Sequence, residues 1–435
     1  MTSPFEEAPF LPWKKIDLTA LIKTDENLAG YKEQWSRDWA YVSTHTNYDE
    51  TRAGSLPLPS ILANPETGRA IASRDEWPVL RQIHLRNIAR ILFGEVPPPP
   101  ETQEVRPLWS KEVFEGTATE RLISLTLRNG GKSHTATILA FIPKSDHPVP
   151  AIVAMNFPGN HGCLMDADIP LSTWRDQDAP RASGASRWDF RLLTDAGFAV
   201  FTCARYDFYP DDVLGRKESV FRLFHDDSEL TPQSRSLTAI SAWAYGYSRL
   251  REVAAGLPEI DAGRIWAHGH SRLGKTALWT IANDPEWAGA VSNCSGCGGA
   301  ALSRRRYGEL LEGLDHFLSW WTTAACKKYA EHPETLPFDA HTLIALAAPR
   351  PVLVTSAKED RWADPTGQFL AVKAAQEIYR FLGRPVLPSQ DYPKLQELLM
   401  CPSLGYYERY GLHDVTDQDW TYAIRFMAQA DVSGR

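Results

Sequence analysis

The stretch Arg264-Ile265-Trp266-Ala267-His268-Gly269-His270-Ser271-Arg272-Leu273-Gly274-Lys275-Thr276 (RIWAHGHSRLGKT) decides how the rest of the chain is read. Residues 264–267 make a short apolar run suited to a buried strand, and Thr276–Ala282 is a helical pattern, so the residues between them form a strand-to-helix turn. Two unrelated chemistries fit that turn. Read as G-x-x-x-x-G-K-T, Gly269 to Thr276 is a phosphate-binding loop, with backbone N–H groups and Lys275 cradling phosphates and the Thr276 hydroxyl on magnesium. Read as strand, Gly-x-Ser-x, helix, it is a nucleophile elbow that lifts Ser271 above the carboxyl end of a sheet. The elbow pattern places glycine two residues after the serine. Here Leu273 stands there and Gly274 follows one place later, so the motif taken alone favours the nucleotide.

The surrounding sequence reverses that preference. Arg121–Leu127, the turn Asn129-Gly130-Gly131 and Thr135–Ile142 read as a β-hairpin. Ala151–Asn156, Phe198–Cys203, Arg264–Ala267, Ala288–Ser292 and Pro351–Ser356 are short apolar runs suited to buried strands. Helical patterns at Ser236–Leu257, Thr276–Ala282, Phe369–Leu382 and around Asp419–Ala428 alternate with them, which predicts a mostly parallel sheet with helices on both faces. A phosphate-binding loop usually follows the first strand of its domain, whereas this turn follows a hairpin and further strands. An acid and a histidine also come after the serine: Pro351–Ser356 runs into Glu359-Asp360, and Gly411-Leu412-His413-Asp414 precedes the last helix. Ser, Asp, His is the chain order of α/β-hydrolases. A serine hydroxyl is a weak nucleophile until a base removes its proton, so His413 is expected to accept that proton while a carboxylate holds the imidazole. Asp360 is expected in that role rather than Glu359, because successive side chains point in different directions. The backbone N–H of Arg272 and its guanidinium are the expected donors to the oxyanion.

Composition narrows the partners. The chain has 435 residues, 43% of them hydrophobic, with 46 Lys+Arg against 54 Asp+Glu, and its formal net charge of -8 argues against binding nucleic acid by neutralising phosphates. No apolar run approaches the roughly 18 to 20 residues needed to cross a bilayer. The expected organisation is an N-terminal extension over residues 1–105, with an amphipathic helix at Glu76–Phe93 stopped by Pro97–Pro100, packed on one catalytic domain over residues 106–435. Met1–Trp13 carries two glutamates and lacks the apolar segment of a signal peptide, so the chain either stays in the cytoplasm or has lost a leader. The 6 cysteines are sparse, and Cys294-x-x-Cys297 has no second C-x-x-C beside it, so inert buried thiols are expected rather than a disulfide framework or a metal centre. His268-x-His270, flanking the elbow, is likewise expected to be packed or hydrogen-bonded rather than metal-binding. No cofactor is implied. The 15 tryptophans include some placed in helix or strand patterns, Trp243, Trp266 and Trp279, and others, Trp362 and less centrally Trp320 or Trp321, that fall where a sugar would stack beside the serine.

Several blocks carry a more specific likeness. Gly269-His270-Ser271-Arg272-Leu273-Gly274-Lys275 resembles the G-C-S-R-x-G-K signature of the glucuronoyl esterases of carbohydrate esterase family 15, which also accounts for the position of Gly274. Asn156–His161, Ser295–Arg305, Asp360–Pro365 and His413–Trp420 look like further family blocks in the same order, and the likeness spans about residues 45 to 430. It implies an α/β-hydrolase fold and a serine carboxylesterase that cleaves esters of (4-O-methyl-)glucuronic acid, as in xylan–lignin linkages. By the resemblance Ser271 is the nucleophile, His413 the base and Arg272 an oxyanion donor, while Lys275, Glu309 and Trp362 contact the sugar. Fungal members carry the triad glutamate at the position of Cys294, so the acid must come from elsewhere, and Asp360 matches the site used by many bacterial members. The fungal cysteines before the nucleophile and after the histidine are His270 and Asp414 here, so the disulfide between those positions is absent. Export and a monomeric state are expected by the same resemblance. An acetyl- or feruloyl-type polysaccharide esterase, a nucleotide-binding protein and a non-catalytic carbohydrate-binding relative are the alternatives.

Overall fold

A computed structural model describes residues 46–54, 57–172 and 179–432. The segment Met1–Trp13, read above for a leader, lies outside them. The strands are β1 Thr102–Val113, β2 Ala118–Asn129, β3 Lys132–Pro143, β4 Val149–Asn156, β5 Ala199–Ala204, β6 Ile260–His270, β7 Gly289–Asn293, β8 Val352–Ala357, β9 Leu399–Met400 and β10 Leu404–Arg409. They form one sheet in the order β1-β2-β3-β5-β4-β6-β7-β8-β10-β9. Pairing from β5 through β10 is parallel, and β1, β2, β3 and β9 add antiparallel flanks.

Alternation along the strands divides the apolar residues between two layers. On one face, Ala151, Val153, Phe201, Ile265, Ala267, Val352 and Val354 pack under helices α1 Trp77–Ile88, α3 Ala239–Ala255, α4 Arg272–Asn283, α5 Ala340–Ala345 and α6 Pro365–Phe381. On the other, Ile152, Val200, Trp266 and Leu353 pack under α2 Phe190–Asp195 and α7 Asp417–Gln429. This is the mostly parallel sheet covered by helices on both faces that the alternating pattern predicts. Trp243, Trp266 and Trp279 are fully buried core residues, as expected.

The predicted hairpin is β2 and β3, closed through Asn129 and Lys132. Three strands had no counterpart in the sequence reading, the two-residue β9 together with β1 and β10. β1 is an exposed edge strand whose register breaks between Pro107 and Trp109, and β10 ends in the charged pair Glu408-Arg409, both buried. The predicted helix at 76–93 is α1 followed by a π-helical turn, Ala89–Phe93. It docks by hydrogen bonds as well as by packing: Arg81 donates to the carbonyls of Ala282, at the end of α4, and Leu346, and the Phe93 carbonyl accepts from the Thr238 and Ser241 hydroxyls.

From β4 the chain passes to β5 on one side and then returns to β6 on the other. Open sheets bind ligands outside the carboxyl ends of the strands at such a reversal. Ser271 immediately follows β6 there.

Candidate active site

The turn at Ser271 is tight enough to strain its backbone. Ser271 has φ 59 and ψ -126, outside the regions that residues with side chains normally occupy. Its N–H donates to the Asn293 carbonyl at 2.8 Å, which extends the pairing with β7, and its own carbonyl accepts from the N–H groups of Gly274 and Lys275, which starts α4. Strand and helix close on each other through two glycines. A Cβ on Gly269 would lie 1.9 Å from the Leu273 carbonyl oxygen, and one on Gly274 would lie 2.9 Å from the Ser295 Cβ. Gly274 therefore stands three residues after the serine because that is where the helix crosses Ser295.

The same geometry removes the phosphate-binding reading. Gly269 and His270 are strand and Arg272 onward is helix, so there is no loop of free N–H groups to wrap a phosphate. The Thr276 hydroxyl donates to the Arg272 carbonyl at 2.9 Å within the helix.

Beside the elbow, His413 Nδ1 and Asp360 Oδ2 are 2.6 Å apart. Asp360 is buried after β8 and also accepts from the Ala363 N–H. Glu359 points elsewhere, its carboxylate accepting from the Gly411 N–H. The loop that carries His413 is pinned by Arg409, which pairs with Asp419 at 2.7 Å and donates to the carbonyls of Leu412 and Asp414. Asp414 in turn pairs with Arg187 at 2.6 Å. The His270 ring lies 4.4 Å from the His413 ring, and its Nδ1 is 2.5 Å from Asn293 Oδ1. Burial first, and the neighbouring His413 second, push His270 well below the usual imidazole range, so it stays neutral beside His413. A cavity of about 280 Å³ opens next to His270, walled by Phe157, Arg187, Trp188, His268 and Asp414.

The cations are each paired. Lys275 donates to Glu309 at 2.7 Å and to the Ser295 carbonyl at 2.5 Å, all buried. The Glu309 N–H in turn donates to the Trp362 carbonyl at 2.7 Å, which ties the three expected sugar-contacting residues into one edge, with the Trp362 ring partly exposed. Arg272 pairs with Asp211, a carboxylate the sequence reading did not single out. The expectation for Trp321 is corrected. Its ring is 3% exposed and lies 4.5 Å from the Arg272 guanidinium, and its indole N–H donates to Asp211, so it has no open face for a sugar. Trp320 is only partly buried, yet its N–H also goes to Asp211. No local signal marks Asp211, which follows Pro210 in an irregular segment.

The far N-terminal part of the described chain braces this edge. The Asn47 carbonyl accepts from the Gly308 N–H at 2.9 Å, the Tyr48 carbonyl from Arg361, and Glu50 pairs with Arg305 at 2.7 Å.

All six cysteines are buried free thiols. Cys294 lies close to Asp360 and His413: its sulfur and the donor atoms of those two residues are all within 4.8 Å of one another. Burial, and then the Asp360 charge, raise this thiol well above its usual range. Glu312, His316 and Glu331 form a second grouping of the same kind.

The family model described as "Glucuronyl esterase, fungi" matches residues 198–383. The carbohydrate esterase MZ0003, from an unknown prokaryotic organism, is 32% identical over 87% of this chain and 91% of its own length. A glucuronoyl esterase from Solibacter usitatus superposes with a TM-score of 0.81 at 30% identity, covering 88% of this chain and 99% of the other. A promiscuous CE15 esterase from a marine bacterial metagenome superposes with a TM-score of 0.80 at 31% identity, covering 89% and 100%.

Two outcomes follow from the elbow. Gly269→Ala is expected to lower stability by at least about 3 kcal/mol, because backbone rather than a movable side chain fills the space; thermal unfolding measures it. The second concerns His268, whose ring lies 4.1 Å from that of Trp420 and whose burial pushes its pKa down to about 3. The unfolded chain protonates this ring near pH 6.5 and the folded chain does not, so the contribution is whole above that value and is lost as pH falls from about 6.5 toward 3. In His268→Phe, which keeps a ring on Trp420, that term is gone. The stability advantage of wild type over the variant is expected to shrink by about 2 kcal/mol between pH 7.5 and pH 5, as read from urea denaturation at the two values.

Proposed function

The chain belongs to carbohydrate esterase family 15, the glucuronoyl esterases, and from that premise we propose that it hydrolyses esters of (4-O-methyl-)glucuronic acid through a Ser271–His413–Asp360 triad and an acyl-enzyme. The observation that carries this reading is the strained strand–Ser271–helix turn at the sheet's switch point, with the His413–Asp360 hydrogen bond of 2.6 Å beside it.

Each step follows from a named group. Asp360 orients the imidazole through Nδ1, which leaves Nε2 to take the Ser271 proton as Oγ attacks the ester carbonyl. The tetrahedral intermediate carries its negative charge toward the Arg272 N–H at the start of α4 and the Arg272 guanidinium. Collapse breaks the bond to the alcohol, which leaves with the proton from His413. Water then attacks the acyl-enzyme, with His413 again as base, and releases the uronic acid and Ser271. His270 stays neutral and does not compete for the proton.

For the sugar, Lys275 and Glu309 offer a donor and an acceptor matched to hydroxyls, and the partly exposed Trp362 ring offers a stacking face. The substrate is taken to be a glucuronate ester on xylan or lignin fragments, met outside the cell by a monomer. The catalytic part is taken as residues 106–435, with the preceding extension as a brace. A second reading, broader action on acetyl or feruloyl esters, is favoured by the likeness to an esterase described as promiscuous.

Ser271→Ala is expected to reduce kcat on benzyl glucuronate by roughly 10⁴-fold or more with an unchanged melting temperature, and Asp360→Ala to cost at least about 10²-fold where Glu359→Ala stays within about threefold. Full activity in the serine variant, or the opposite ranking of the two acids, refutes the mechanism. Substrate class is read from kcat/KM on glucuronate, galacturonate and aryl acetate esters side by side. The glucuronate ester should lead, and a lead for the acetate would move the assignment to the second reading.

A further inference from the structure

Asp211 is buried between two arginines and two indoles that come from three separate segments. Its Oδ2 accepts from Arg272 Nη1 and lies 3.4 Å from Arg205 Nη2, while its Oδ1 accepts from Trp320 Nε1 at 2.8 Å and Trp321 Nε1 at 2.7 Å. A carboxylate has about four lone-pair sites, and four donors converge on this one. It cannot turn about its own Cβ–Cγ bond without breaking an indole hydrogen bond.

The guanidinium it holds is fixed on other sides too. The Trp321 ring lies 4.5 Å from the Arg272 Cζ, and the Phe157 ring lies 5.9 Å from it and 5.4 Å from the Arg205 Cζ. Burial alone would raise the Asp211 carboxyl, but the charges of Arg272 and Arg205 and the indole N–H groups hold it below its usual range, so it stays an anion.

We propose that Asp211 is a positioning residue for the reaction: by anchoring one edge of the Arg272 guanidinium against Trp321, it holds that cation at the place where the oxyanion forms. This rests on the reading of Arg272 as an oxyanion donor. The physical reason is that a donor stabilises a transition state only to the extent that it is oriented beforehand, and a long arginine side chain loses much rotamer freedom on being oriented. Asp211, Trp320 and Trp321 do that ordering during folding instead of at each turnover. Asp211 acts through Arg272 and has no contact with the triad in this scheme.

A double-mutant cycle on benzyl glucuronate tests it, with kcat and KM measured for wild type, Asp211→Asn, Arg272→Ala and the combined variant. Asparagine keeps the shape and an oxygen for the indoles but turns an amide donor or a weaker acceptor toward the guanidinium. Asp211→Asn is expected to lower kcat on the order of 10²-fold while KM moves by less than about threefold, and to add no further loss of kcat in the Arg272→Ala background. Trp321→Phe repeats the test without touching the buried charge, since it leaves a smaller aromatic ring for the guanidinium and removes the indole N–H that Asp211 accepts. It should cost kcat several-fold with Arg272 present and nothing further without it. Equal losses in both backgrounds would show a merely structural role and overturn the proposal, as would full activity of both variants. An Arg272→Ala enzyme with wild-type kcat is a different result. It would overturn the oxyanion reading itself, and the proposal with it.

Discussion

How closely β6 and α4 approach each other around Ser271 governs the whole carboxyl edge of the sheet. Backbone meets backbone there: the space beside Gly269 is filled by the Leu273 carbonyl, so the strand cannot hand over to the helix unless residue 269 has no side chain. The serine between them takes the strain, on the order of 1 to 3 kcal/mol for a non-glycine residue held at such angles. What offsets it is extensive. Ser271 is bonded to β7 through Asn293, and α4 is buried along nearly its whole length between α3 and the sheet. Ser271 is thus held out by a core that would have to open for the turn to relax.

A second regularity is that charge at this edge comes in buried pairs. Arg272 with Asp211, Lys275 with Glu309, Arg409 with Asp419 and Arg305 with Asp364 all sit in the interior. Buried pairs add little net stability, because desolvation consumes most of the attraction, but breaking one leaves an uncompensated charge and is severe. Their value here is geometric. Three of the four pairs join segments 34 to 61 residues apart, and each leaves the cation with a fixed direction. A site built this way presents oriented dipoles and charges to a reacting ester without rearranging, which is the condition for electrostatic stabilisation of a transition state.

What could be read from the sequence and what could not divides along physical lines. Five of the parallel strands were legible because strands buried on both faces must be apolar throughout, as in Ala151–Asn156 and Pro351–Ser356. Ser271 and Asp360 stood out as candidates because each follows such a strand, and His413 because it comes after both, just before the last helix. β1 was not, because an edge strand open to water has no apolar alternation to show and is kinked at Pro107. β10 was missed because its buried Glu408 and Arg409 look like a loop until their partners are known. Asp211 is the sharpest case. Three of its four partners lie 61, 109 and 110 residues away, and nothing near it in the chain has a period or a motif. Trp321 shows the converse: a sequence reveals an indole but not whether its face is already covered.

The brace at residues 47–50 has a consequence for how the molecule is made. Its contacts with residues 305–361 span 255 to 313 positions of chain, among the longest-range links described here. During synthesis these residues emerge well before the segments they secure, which follow 255 to 313 residues later. Long-range closures of this kind come late, because the loop entropy must be overcome before the contact forms. The edge that carries Glu309 and Trp362 is therefore completed near the end of folding, after the sheet and the elbow exist, when residues 47–50 return to lock it.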